Sequence, residues 1–87
     1  MYHILVYDVG EKRVGKALKI CRKYLNHIQN SVFEGELTPG QMDKLKAELK
    51  KSLKYEEDSV IIFALSSRKW LKKEILGVEK RTADNFL

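Results

Sequence analysis

The chain alternates between short runs of consecutive apolar residues and longer stretches in which apolar positions recur every three or four residues. Residues 2–7 (YHILVY) are short, continuous and rich in β-formers, the pattern of a strand buried on both faces. Asp8-Val9-Gly10 follows as a turn signal. In residues 14–25, Val14, Leu18, Cys21 and Leu25 fall at i, i+4, i+7 and i+11 with Ala17 beside them, which predicts a helix ending at Asn26. Lys12, Lys16, Lys19 and Lys23 share that spacing and, at about 100° per residue, point opposite the apolar stripe.

Residues 27–37 (HIQNSVFEGEL) read as extended, through Ile28, Val32 and Phe33, with Gly35 suggesting a bulge or tight turn. The pattern fits a bent strand and a hairpin equally. Thr38-Pro39-Gly40-Gln41 opens a second helix: Thr38 can cap, Pro39 suits the first helical position and Gln41 completes a capping box. Met42, Leu45, Leu49 and Leu53 form its buried stripe, with Lys50, Lys51 and Lys54 suited to its C-terminal end. Asp58 leads into a second central strand, Ser59–Leu65 (SVIIFAL). After the loop Ser66-Ser67-Arg68, residues 70–76 can hold a short further strand, and a polar tail ends in Phe86-Leu87.

The order β-α-β-β-α-β, with a short extra strand at the C-terminal end, predicts an α+β, ferredoxin-like sandwich over residues 1–77, followed by a tail over 78–87. Two one-sided helices cover one face of the sheet and leave the other bare. At 87 residues the core is small and calls for reinforcement. Cys21 is the only cysteine, lies on a helical apolar stripe and reads as a small buried hydrophobe, so disulfides are excluded. That usage points to a reducing, cytoplasmic setting. No secretory signal and no run long enough for a membrane span is expected. A homodimer that buries the bare sheet face, with residues 72–87 reaching the second copy, is the remaining reinforcement.

The formal net charge is +5, and its layout says more than its sum. Six Lys/Arg residues and no acid lie between Lys12 and Phe33, and Arg68, Lys69, Lys72 and Lys73 add four more within residues 59–73, again without an acid. A solvated helix face usually mixes signs, whereas a single-sign stripe suits a phosphate backbone. Lys12, Arg13, Lys16, Lys19, Lys23 and Arg68 are the expected nucleic-acid contacts. With no aromatic platform for unstacked bases, they would bind with little sequence preference.

Asp8 has two readings. It can accept a backbone hydrogen bond near Gly10 as a turn residue. Alternatively it is a metal ligand: Mg²⁺ takes six oxygens, often one or two carboxylates with waters and phosphate, and a twofold axis near Asp8 would supply two carboxylates. His3 and His27 lack metal-ligand spacing, Ser31 and Ser67 lack a Ser-His-Asp context, and Tyr7 and Phe33 read as core or interface aromatics.

Tyr7-Asp8, the basic first helix, Gln29-Asn30-Ser31-Val32-Phe33-Glu34 and the hydrophobic DSVIIFAL resemble the small CRISPR-associated Cas-two proteins over nearly the whole chain. The resemblance implies a homodimer whose late strand pairs with the partner subunit. It also implies spacer acquisition in company with dimers of the Cas-one integrase, in a heterohexamer-like complex that holds a DNA duplex. The tail is then a candidate for docking on the partner subunit or the integrase, with Phe86-Leu87 as its anchor. The resemblance further implies a Mg²⁺-dependent endonuclease acting on single-stranded RNA or double-stranded DNA. Asp8 would be the metal-binding aspartate, and Tyr7, Arg13 and Phe33 match positions tied to activity in some members. Where some members carry arginine, this chain has Gly15 and His27, which argues against strong intrinsic cleavage. The alternative is a non-catalytic dimeric scaffold that holds duplex DNA and bridges the integrase dimers.

Overall fold

The computed structural model describes residues 1–78. The elements run β1 (Tyr2–Asp8), α1 (Glu11–Tyr24), β2 (Asn26–Gln29), β3 (Val32–Glu36), α2 (Pro39–Ser52) and β4 (Ser59–Leu65), followed by a 3-10 turn at Arg68–Trp70. The sheet order is β2-β3-β1-β4 and every pairing is antiparallel, the arrangement expected of a ferredoxin-like α+β sandwich. β1 is central: Leu5 pairs with Phe33 on one side and with Ile62 on the other.

Alternation along β1 divides the sheet into two faces. His3, Leu5 and Tyr7 are buried, and Leu5 and Tyr7 build the core with Phe33 and the apolar faces of both helices. α2 contributes Met42, Leu45 and Leu49, as the spacing predicts, and its capping box is complete: Gln41 N–H donates to Thr38 Oγ1 at 3.1 Å and Thr38 N–H to Gln41 Oε1 at 2.9 Å. α1 is turned from the expected face. Val14 is 39% exposed, while Ala17, Ile20 and Cys21 are buried. Ile20 lies between the predicted stripe and the lysines, so the lysines flank the buried face rather than oppose it.

Residues 26–36 form a hairpin. Gln29 pairs with Val32 across Asn30-Ser31, and Asn30 takes φ 40, a left-handed conformation that asparagine tolerates and a two-residue turn needs. The bulge is at Ile28, where the register slips between His27 and Gln29. Gly35 is neither bulge nor turn. It pairs with His3 inside β3, where a Cβ would lie 3.1 Å from Leu25 Cδ2, so it allows the end of α1 to sit close on the sheet.

The other sheet face is only partly bare. Residues 71–76 return over Ile4, Ile28, Val32 and Glu34, and Lys73 pairs with the buried Glu34 carboxylate. Ile61 and Phe63 on β4 stay 54% exposed. The extra strand expected within residues 70–76 does not form: Arg68–Trp70 is a 3-10 turn and residues 71–78 carry no strand. Residues 71–76 lie across the sheet face at Ile4, Val32 and Glu34 and not alongside β4, whose outer edge stays open among the described residues. Apart from Val78, the predicted tail with Phe86-Leu87 lies outside the described residues. No helix among the described residues is long and apolar enough to cross a membrane.

Candidate functional site

Asp8 is the last residue of β1 and pairs with Ser59, the first of β4. The period of the strand puts it on the open face with Ile4 and Val6, and it is exposed. The turn reading would have it accept from the backbone near Gly10. The structure gives that task to Asp58: Gly10 N–H donates to Asp58 Oδ1 at 2.8 Å. No ion pair among the described residues engages Asp8.

Asp58 is the neighbour of Asp8 that sequence reasoning missed. It is 3% exposed, and its carboxylate accepts four N–H bonds. Two come from the Arg13 guanidinium, Nε to Oδ2 at 2.6 Å and Nη2 to Oδ1 at 2.9 Å; the other two come from the backbones of Gly10 and Lys54. The Arg13 hydrogen bonds, helped by those two backbone N–H groups, hold the Asp58 carboxyl far below the usual carboxylate range despite its burial. A Cβ on Gly10 would lie 2.8 Å from Arg13 Nη2, so glycine gives the guanidinium room to cross the loop. The only sequence signal was an acid directly before a strand.

Arg13, expected at phosphate and at the reaction centre, therefore sits in a bidentate clamp, with Glu57 at 3.6 Å as a further acidic neighbour. Tyr7 and Phe33 are buried on the helix-facing side of the sheet and stack at 5.7 Å, with His27 on the far side of Phe33 at 4.6 Å. They back the strand that ends in Asp8 and point away from its carboxylate. Burial pushes the Tyr7 phenol up, which keeps it protonated at neutral pH. Burial likewise pushes the Cys21 thiol up to about 12, which makes it inert packing.

The cations fall into two groups. Lys12 is in the first turn of α1, at the Asp8 end of the sheet, and Lys16, Lys19 and Lys23 recede from it along the helix. With Lys51, Ser52 and Ile20, these three line a groove of about 580 Å³ between α1 and α2. Glu48 crosses that groove and pairs with both Lys23 and the Tyr24 hydroxyl. Arg68 is not with them. It lies over the Tyr2 ring at 5.7 Å and donates to Leu71 O, near the opposite end of β1. Seven strand residues, roughly 20 Å at ~3.3 Å each, separate that end from Asp8.

Among the described residues no three His, Cys, Asp or Glu side chains form a metal cage. Asp8 alone supplies one hard oxygen donor, exposed at a strand end. Mg²⁺ commonly takes one or two carboxylates, so Asp8 supplies the smaller complement from one chain, and a second copy would supply the larger.

The profile of the family described as CRISPR associated protein Cas2 matches residues 1–73. A Thermotoga maritima protein named CRISPR-associated endoribonuclease Cas2 is 56% identical over 80 residues, covering 92% of each chain. A protein of the same name from Dictyoglomus turgidum is 45% identical over 87 residues, covering all of both. A solved structure described as "Crystal structure of cas2" superposes with a TM-score of 0.84 at 41% identity, covering 92% of this chain and 90% of that one.

Proposed function

The chain belongs to the CRISPR-associated Cas2 family, and from that membership and the placement of Asp8 we propose that it is a homodimeric, Mg²⁺-dependent endonuclease in which two Asp8 carboxylates face each other across the dimer axis. One observation carries the reading. The turn that Asp8 adjoins is capped by Asp58, which leaves the Asp8 carboxylate exposed on the side of the sheet that a second copy would cover. The names of the relatives point to RNA as substrate.

When bound there, a divalent cation supplies positive charge against a phosphodiester oxygen and makes an attacking water more acidic. Asp8 holds that cation and keeps it at the dimer axis. Tyr7 and Phe33 stiffen the strand end from behind, and the α1 lysines draw the phosphate backbone to the molecule. Asp8→Asn keeps the shape of the side chain and removes its charge. Mg²⁺-dependent cleavage of labelled RNA should fall to background while fold, dimer and nucleic-acid binding persist. Full cleavage by the variant would eliminate Asp8 as the ligand.

A second reading is a scaffold that holds duplex DNA and bridges dimers of the Cas-one integrase. The groove between α1 and α2 favours it, because Lys16, Lys19 and Lys23, three of the four stripe lysines of α1, line it with Lys51 and only Lys12 lies at the Asp8 end. Trp70, Leu76 and Val78 are exposed apolar residues in the region proposed to meet that partner. Salt-sensitive duplex binding by a wild-type protein that cleaves nothing in Mg²⁺ would select this reading.

A further inference from the structure

The loop between Asp8 and α1 is tied through Gly10 and Arg13. On the strand side, Asp8 pairs with Ser59, the neighbour of Asp58. One residue beyond Val9, Gly10 N–H donates to Asp58 Oδ1, and Gly10 C=O accepts from Arg13 N–H at 2.9 Å and Val14 N–H at 3.0 Å. The Arg13 side chain then returns across Gly10 to both oxygens of the same Asp58 carboxylate. A fourth bond, from Lys54 N–H at 2.9 Å, fixes Asp58 to the turn that precedes β4. Four donors from three segments thus meet on one buried carboxylate, one residue away in register from the exposed one.

We propose that Asp58, locked by Arg13, is the positioning residue for Asp8: it sets the backbone on both sides of the Asp8 carboxylate so that two copies can present a matched pair to one cation. The proposal rests on Asp8 being the cation ligand. Asp58 does not touch the cation, because it is buried and already accepts four hydrogen bonds. It acts through Gly10. Arg13 is thereby a positioning residue as well, and its effect on cleavage comes through geometry and not through contact with phosphate. Groups that orient a metal ligand typically change metal affinity by about 10–100-fold when removed.

The test is Mn²⁺ binding to the purified protein, followed by the loss of free-Mn²⁺ paramagnetic resonance signal, with no nucleic acid present. Asp8→Asn should abolish binding. Asp58→Asn should raise the half-saturating Mn²⁺ concentration about tenfold or more, with the dimer intact by light scattering and the helices intact by circular dichroism. Arg13→Lys keeps the charge and the two backbone bonds to Asp58 but loses the fork, and should give a smaller shift in the same direction. Met42→Ala is the control for stability alone. Met42 lies at the opposite end of β1, beside Met1, His3 and Leu37, so its truncation should lower the melting temperature without moving the titration. If Asp58→Asn does not fold, Arg13→Lys carries the test. Loss of binding in Asp8→Asn together with wild-type titration of the folded Asp58 or Arg13 variant overturns the positioning role and leaves Asp8 as ligand. Wild-type titration of Asp8→Asn overturns both. A shift in Met42→Ala equal to that in Asp58→Asn assigns the effect to stability and overturns the positioning role.

Discussion

Asp8 and Asp58 flank the same pair of strand ends and have opposite fates. One is exposed and the other is buried with four donors, and the difference comes from Arg13, 45 residues away in sequence from Asp58. That difference has a sign in pH. Because Arg13 and the Gly10 and Lys54 N–H groups depress the folded carboxyl, Asp58 contributes stability above its unfolded value of about 4. The contribution is lost progressively as pH falls from there toward the much lower folded value. Wild-type stability, measured by urea unfolding across acidic pH, should therefore drop more steeply below about pH 4 than that of Asp58→Asn, which starts lower at neutral pH. Parallel curves would show that the clamp is not charge-dependent.

At the scale of elements, α1 presents its lysines along one edge of the groove shared with α2. Replacing both Lys16 and Lys19 by Glu should weaken duplex binding and flatten its dependence on salt, since fewer neutralised phosphates release fewer counterions. Both residues are exposed, so helicity should be unchanged. Unchanged affinity at low salt would remove α1 from the binding surface. The elements themselves were legible because their signals are local: continuous β-forming runs, the 3.6 period of α2, and a capping box written in four consecutive residues. What was not legible depends on which elements meet. Ile20 is buried and Val14 exposed because α2 and the sheet approach α1 from one side, which the spacing on α1 alone does not encode. Gly35 suggested a bulge, yet its reason for being glycine is Leu25, at the end of another element. The carboxylate of Asp8 was visible as a candidate. Its exposure was not, because that depends on Asp58 accepting the Gly10 N–H.

At the scale of the whole molecule, the sheet has an open flank on β4, where Ile61 and Phe63 stay half exposed beside a β1 that ends in Asp8. Residues 71–76 cover the β3 side of that face, and Lys73 anchors them to Glu34. A second copy placed on the flank by a twofold axis would bury the apolar residues and bring each Asp8 near its counterpart. On the proposed reading, neither chain holds a complete site. Subunit mixing tests it most directly: wild type and Asp8→Asn are exchanged into random dimers, and Mg²⁺-dependent RNA cleavage is measured against the fraction of wild-type chains. If both carboxylates are required, the rate should follow the square of that fraction, about one quarter of full activity in an equal mixture. A straight line, about one half at the same point, would mean that each chain works alone and would contradict the shared site.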